Sequence, residues 1–306
     1  MKRVYIQTEF QKLDKEEQEM VTSFQEEMEA ANVEVEVREH FQREDVVDLS
    51  HAKDHSMEQE DFVIAFCENA AEAEVFALQN VPVVSYEPRH IAQAVKEENV
   101  CESLKMSHPK TRYVVLSLEG IEEHYLKKVW CRYFGFPWTI LETERTVVRE
   151  ICLKDIEDLF HLYEGDGITD YMEPLFDREA EIQYQKDYID KVYGFYEYGM
   201  WVVIEKATGE LIGRAGVESR NTEDVDQVEL GYVIRKDKQN LGFATEVCRA
   251  IVDYAREELG MSSVRARVHP DNLSSVRIVE KLGMKPLSKK VNSDGEITFQ
   301  ILFFTN

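Results

Sequence analysis

The chain has 306 residues and 43% apolar content, enough for a sizeable core and long for one domain, so two domains are expected. Sixty acidic side chains against 36 basic ones leave a net charge of −24, spread over both halves; such a field repels nucleic acid and anionic membrane and favours cationic partners, although acidity also serves plain solubility. The five cysteines are odd in number and widely spaced, no CxxC pair occurs, and no apolar run approaches a membrane span or precedes the first strand as a signal peptide, so a reducing cytoplasm is the expected setting.

Residues 3–8 read as a strand and Lys15 to Ala31 as a charged amphipathic helix with Met20, Phe24 and Met28 at helical spacing. Val33 to Val37 alternates as a strand with one wet face, and Glu44 to Asp61 is a polar, acidic connection in which His51 and His55 suit solvent better than a metal. Phe62–Cys67 is a fully apolar strand, Ala70 to Gln79 a helix and Val81 to Ser85 a strand. His90 to Glu98 then reads as a helix, Tyr113 to Leu118 as a strand and Ile121 to Phe134 as a helix. Strands alternating with helices imply a small three-layer α/β domain on a parallel sheet, residues 1–134, loosely Rossmann-like or flavodoxin-like.

Ligands of such sheets sit beyond the strand C-termini, here Thr8-Glu9-Phe10, Cys67-Glu68-Asn69 and Tyr86-Glu87. No GxGxxG or P-loop follows the first strand. The pattern is also loosely similar to phosphatase-type domains, but their Asp-x-Asp nucleophile is missing, so a scaffold, partner-binding or small-ligand role is expected rather than catalysis. Cys67 has no base nearby in sequence and reads as a buried structural thiol.

Residues 135–142 form an aromatic connection, and the second domain runs from Thr143 to Asn306. Its opening strand, Thr143 to Glu150, precedes a helix from Leu153 to Tyr163 and a loop carrying Ile168-Thr169-Asp170-Tyr171-Met172. A long helix, Ala180 to Tyr198, leads to a hairpin of Trp201–Ile204 and Leu211–Ser219 around the turn Ala207-Thr208-Gly209-Glu210. This sheet is expected to be mixed and mostly antiparallel.

The stretch Asp226 to Gly260 organises the second domain. Val228, Leu230, Tyr232 and Ile234 fall on one face of a strand, with Glu229, Gly231, Val233 and Arg235 on the other. A polar turn, Lys236 to Asn240, leads to a helix with the stripe Ala244, Val247, Cys248, Ile251, Ala255 and Leu259. The first N–H groups of a helix lack internal partners and carry partial positive charge, which makes its start an anion site. Gly242 and Ala244 are small enough for a diphosphate to approach the main chain from Gln239 to Thr245, and Thr245 adds a hydroxyl. An ordinary strand-to-helix connection with a convenient glycine fits the turn equally well. Ser263 to His269 follows as a strand, Asp271-Asn272 as a helix cap, Leu273, Val276, Val279 and Leu282 as that helix's inner stripe, and Ile297 to Phe304 as the last strand.

Gln239-Asn240-Leu241-Gly242-Phe243-Ala244 resembles the Gln/Arg-x-x-Gly-x-Gly/Ala signature of the GCN5-related N-acetyltransferases, or GNAT family. The preceding Glu-Leu-Gly-Tyr strand, Val264 to Val268, Asn272-Leu273-Ser274-Ser275 and Glu280-Lys281-Leu282-Gly283-Met284 extend the likeness over about 160 residues. The resemblance implies a mixed α+β GNAT domain that uses acetyl-CoA as co-substrate, with no metal, to acetylate a primary amine. Its pyrophosphate would meet Gln239, Asn240, Leu241, Gly242, Phe243, Ala244 and Thr245, its pantetheine arm Asn272 and Ser275, and its thioester carbonyl an N–H of Val233 or Ile234. Asp170 and Tyr171 would contact the acceptor, a small-molecule amine or a peptide or protein N-terminus, with cationic amines attractive for an acidic protein.

A free alkylamine has a pKa of about 10.4, so a base must take its proton. Glu229 resembles the strand glutamate that relatives use, directly or through a water, and burial would raise its pKa toward the working range; pairing with Arg214 or Arg265 is the plain structural alternative. Val279 stands where relatives place a tyrosine for the leaving thiolate, which resembles the branch acetylating ribosomal-protein N-termini and leaves the general acid unassigned. A two-domain protein that senses acyl-CoA without turnover is the alternative function. The oligomeric state, monomer or homo-oligomer, stays open.

Overall fold

The computed structural model describes residues 1–49, 62–86, 113–219, 227–287, 291–292 and 295–303, which divide into two units, Met1–Phe136 and Pro137–Asn306. The first unit contains β1 (Lys2–Gln7), α1 (Lys15–Ala30), β2 (Glu34–Arg38), β3 (Phe62–Cys67), α2 (Ala70–Leu78), β4 (Val83–Tyr86), β5 (Val114–Val115) and α3 (Glu123–Phe134). Asp14 opens α1 by accepting the Glu17 N–H at 2.9 Å while the Glu17 carboxylate takes the Asp14 N–H at 3.2 Å, a reciprocal cap. The buried stripe of α1 is Val21, Phe24 and Met28; Met20, one position off that stripe, is half-buried.

Among the described residues, five strands pair in parallel in the order β2-β1-β3-β4-β5, the flavodoxin-like arrangement. β3 lies at its centre and is buried along its whole length, as a strand with helices on both faces must be. Residues in register share a face, so Tyr5 with Ala65 and Ile6 with Phe66 mark opposite faces. Phe76 of α2 packs on Tyr5 and Phe24 of α1 on Phe66, which gives three layers.

The strand expected over Tyr113–Leu118 shrinks to β5, because Ser117 Oγ accepts the Glu119 N–H at 3.0 Å and turns the chain. The helix expected over His90–Glu98 lies outside the described residues, as do His51, His55, Glu87 and Cys101.

The second unit contains β6 (Thr139–Glu142), β7 (Thr146–Arg149), α4 (Ile156–Tyr163), α5 (Arg178–Asp187), α6 (Tyr193–Tyr196), β8 (Met200–Glu205), β9 (Leu211–Glu218), β10 (Gln227–Ile234), α7 (Phe243–Glu257), β11 (Ser263–Val268), α8 (Leu273–Lys281), β12 (Lys285–Pro286) and β13 (Ile297–Leu302). Among the described residues its sheet runs β12-β13-β11-β10-β9-β8-β7-β6, and of these pairs only β10 with β11 is parallel. Part of the connection expected at 135–142 is thus sheet: Gly135, at φ +75°, ends α3, and Thr139–Glu142 forms the edge strand β6.

The long helix expected from Ala180 to Tyr198 is broken by a π-turn, Tyr188–Val192. That turn aims Tyr188 at the sheet, where its hydroxyl accepts the Met200 N–H at 2.6 Å and donates to Glu218 at 2.7 Å. Leu273, assigned to the inner stripe of α8, is 61% exposed, because it directly follows the Asn272 cap at the helix mouth; Val279 and Leu282 are buried as expected.

β8 and β9 approach so closely at Gly216 that a Cβ there would collide with the Gly199 carbonyl oxygen and lie 2.8 Å from Met200 Cα. Gly216→Ala is therefore expected to destabilise the second unit by about 3 kcal/mol or more. Gly194→Ala, in α6 with open space around its Cβ, should be neutral or slightly stabilising. Thermal unfolding of the two variants checks the contrast.

Candidate active site

β10 and β11 are held together at one end only. Their parallel register covers Gln227↔Ser263, Val228↔Val264 and Glu229↔Arg265. Beyond it β10 stays with β9 as far as Ile234↔Gly213, while β11 stays with β13 as far as Val268↔Ile297. A wedge opens between residues 230–234 and 266–268. Val233 and Ile234 lie on its β10 side, and Asn272 and Ser275, at the start of α8, follow the end of β11. The Tyr232 hydroxyl donates to the Ser275 carbonyl at 3.3 Å and joins the two sides. Asn272 caps α8 by accepting the Ser275 N–H at 3.1 Å. Val279, one turn further on, is fully buried.

At the end of β10 the chain makes a 3-10 turn, Lys236–Lys238, and Gln239 Nε2 donates to the Ile234 carbonyl at 2.9 Å. Asn240 (φ +61°) and Gly242 (φ +89°) are left-handed, conformations that asparagine tolerates and glycine adopts freely. Gly242 is the N-cap of α7 and no side chain caps that helix, so the turn from Gln239 to Thr245 presents main chain at a positive helix end. Leu241 is exposed, Phe243 buried, and Ala244 and Thr245 half-buried.

Arg145, in the turn between β6 and β7, fixes this arrangement. Its Nε donates to Glu246 in the first turn of α7 at 2.7 Å, its Nη1 to the Leu241 carbonyl at 3.1 Å, and its guanidinium lies 4.2 Å over the Phe243 ring. Desolvation alone would push the Glu246 carboxyl up. Hydrogen bonds from Thr143 and Arg145 outweigh it and hold the group below its ordinary value, so the acid at this helix start is already matched.

Residues directly opposite in an antiparallel pair share a face, and β9 with β10 aligns Glu218 with Glu229, Gly216 with Gly231 and Arg214 with Val233. Tyr188 identifies this as the face under the π-turn. Glu229 is mostly buried and accepts from Arg267 Nε at 2.9 Å, and Arg267 Nη1 lies 3.5 Å from Glu296. The partner is thus neither Arg214 nor Arg265. Arg267 stands two residues beyond Arg265 on the same face of β11, where the wedge gives its side chain room to reach back. Arg214 is instead buried among Tyr163, Tyr184, Tyr188 and Tyr193, with its guanidinium 5.8 Å over the Tyr188 ring. Desolvation opposes its charge, but the surrounding hydroxyls raise its pKa above the ordinary value.

Asp170 and Tyr171 lie in a 3-10 turn between α4 and α5. Tyr171 stacks on His269, at 5.2 Å and 30°, just past the end of β11. Asp170 folds back toward Gly167, beside Lys236 at the end of β10. The structure therefore brings Tyr171 to the mouth of the wedge near Asn272, while Asp170 belongs to the loop under it.

Sequence reading missed Tyr188, Arg267, His269 and Glu218. The first three lie on distant segments, but Glu218, a lone acid ending an apolar strand opposite Glu229, was readable once the hairpin register was fixed. Among the described residues no group of three or more His, Cys, Asp or Glu side chains is arranged to hold a metal ion, and no helix is long and apolar enough to cross a membrane.

A model of the acetyltransferase (GNAT) domain matches residues 145–285. The uncharacterized protein YkkB of Bacillus subtilis (strain 168) is 30% identical over 151 residues, 48% of this chain and 85% of its own length. The uncharacterized N-acetyltransferase YoaA of the same organism is 32% identical over 155 residues, covering 49% and 84%. Of solved structures, a GNAT-family acetyltransferase from Bacillus anthracis aligns at 24% identity and a TM-score of 0.46 over 53% of this chain and 97% of its own. Ribosomal-protein-S5-alanine acetyltransferase from Vibrio fischeri aligns at 15% identity and 0.48 over 53% and 95%. The chain belongs to the GNAT acetyltransferase family, whose domain occupies its C-terminal half.

Proposed function

We propose that the protein transfers acetyl from acetyl-CoA to a primary amine, with the second unit as the catalytic domain. The observation that carries this reading is the meeting of the β10–β11 wedge with the uncapped start of α7. Residues 239–245 would hold the pyrophosphate through main-chain N–H groups and Thr245, and Asn272 and Ser275 would border the pantetheine arm. Acetyl-CoA supplies an activated acetyl thioester. A main-chain N–H at Val233 or Ile234 would stabilise charge developing on its carbonyl oxygen.

Glu229 acts as the base that removes the proton of the incoming ammonium. It lies on the same face of β10 as Val233, four residues and roughly 13 Å of strand away, so the proton would pass to it along a short chain of waters. Its bond to Arg267 uses Oε2 and orients the carboxylate. Tyr171, stacked on His269 at the mouth of the wedge, is the acceptor contact, and Asp170 supports its loop. The protonated acceptor suits an acidic protein.

Calorimetric titration of the full chain with acetyl-CoA, followed by thiol-release assays over an amine panel, tests this reading; binding without turnover would point instead to an acyl-CoA sensor. Glu229→Gln is expected to lower kcat by roughly 100-fold with acetyl-CoA affinity kept, and unchanged turnover would remove Glu229 from the role of base. Gly242→Val should abolish acetyl-CoA binding, since a branched side chain is strained at this φ and blocks the approach to the main chain. Normal affinity in a folded Gly242→Val protein would relocate the site.

A further inference from the structure

On the face of the sheet that carries Glu229, a cavity of about 290 Å³ opens beside its cross-strand neighbour. It is lined by Val192, Tyr196, Tyr198, Glu218 and Ser219. Its polar end is the Glu218 carboxylate, oriented by the Tyr188 hydroxyl through Oε1 at 2.7 Å, and no described lysine or arginine forms an ion pair with it. Its walls are aromatic: the Tyr196 and Tyr198 rings lie 5.7 Å apart, and Tyr198 shares a hydrogen bond with Ser219. A carboxylate that pairs with no described cation, in a cavity also lined by phenol rings, is the chemistry that takes up an alkylammonium group, through charge-assisted hydrogen bonds and cation–π contact.

The geometry points to this cavity as the subsite for a second ammonium group of the acceptor, which makes the substrate a dicationic aliphatic amine. This rests on the acetyltransferase reading above, with Glu229 serving the reacting nitrogen and Glu218 the distal one. The two carboxylates start from opposed positions about 5 Å apart at Cβ and are drawn to different flanks, Glu229 toward Arg267 and Glu218 toward Tyr188. A molecule lying along this face therefore meets Glu218 at its distal nitrogen, while the proton of its reacting nitrogen passes to Glu229 through waters. A peptide N-terminus without a nearby basic side chain would leave the second acid unused.

The test uses the full chain saturated with CoA, titrated calorimetrically with 1,4-diaminobutane and with n-butylamine, and then thiol-release kinetics on both amines and on a neutral peptide with a free N-terminus. The diamine should bind the parent protein at least tenfold more tightly than the monoamine, and Glu218→Gln should remove that advantage, with kcat/KM for the diamine falling at least tenfold through KM. Tyr196→Ala, in the aromatic lining, should weaken diamine binding several-fold. Equal binding of the two amines, an unchanged diamine advantage in Glu218→Gln, or a higher kcat/KM for the neutral peptide would each overturn the subsite. Because binding is read without turnover, an inactive protein that still prefers the diamine would refute the catalytic reading and keep the subsite.

Discussion

Three register pairs decide the architecture of the second unit. β10 and β11 are parallel neighbours at Gln227–Glu229 and part thereafter, each kept in place by an antiparallel partner on its far side. A sheet that lost pairing at its centre would normally leave main-chain donors and acceptors unsatisfied. Here the exposed edges face a wedge that ends at the mouths of α7 and α8, so the unpaired groups stand where a ligand can use them. The Tyr232–Ser275 bond spans the wedge from the β10 side, which limits how far it can close.

The loop at the wedge mouth owes its shape to a cation from elsewhere in the unit. Arg145 reaches Glu246, the Leu241 carbonyl and the Phe243 ring together, so one side chain orients the helix start, one loop carbonyl and the first apolar anchor of α7. Glu246 would by itself oppose an anion at this helix end. Paired with Arg145 and hydrogen-bonded by Thr143, it spends its charge internally and leaves the main chain to act. In the first unit the residues past β1 and β3, where a doubly wound sheet offers a ligand site, bind one another instead: Thr8 donates to Glu68, and the Glu68 N–H donates to Gln7 Oε1 at 3.0 Å. Burial raises the Cys67 thiol well above its ordinary value, with the charges of Glu72 and Glu68 adding to it, as suits a structural thiol.

What was legible in the sequence is what local pattern controls. Period-2 and period-3.6 patterns located β3, β10, α1 and α7 nearly to the residue, and the Asn272 cap was readable from its own side-chain chemistry. Pairing was not legible. Thr139–Glu142 is short and preceded by aromatic residues, and only its hairpin with β7 makes it a strand. The π-turn at Tyr188 repays its irregularity through bonds to Met200 and Glu218, both remote in sequence. The partner of Glu229 was missed for the same reason: strand adjacency suggested Arg265, and the divergence of β11 passed the role to Arg267.

The acids of this face pose an electrostatic problem that the fold resolves in one direction. Like charges directly opposite on neighbouring strands destabilise a sheet, and Glu218 and Glu229 are such a pair. Arg267 compensates Glu229, whereas among the described residues Glu218 receives a neutral hydroxyl, which orients it without cancelling its charge. The nearest buried cation on the same strand, Arg214, is four residues away and enclosed by tyrosines that stabilise it there. Moving Arg214 two residues along β9, to the position of Gly216, would have neutralised Glu218, but the contact with Gly199 excludes any side chain at that point. The close approach of β8 and β9 thus leaves Glu218 without a cation beside it among the described residues, the place that the proposed distal ammonium would take.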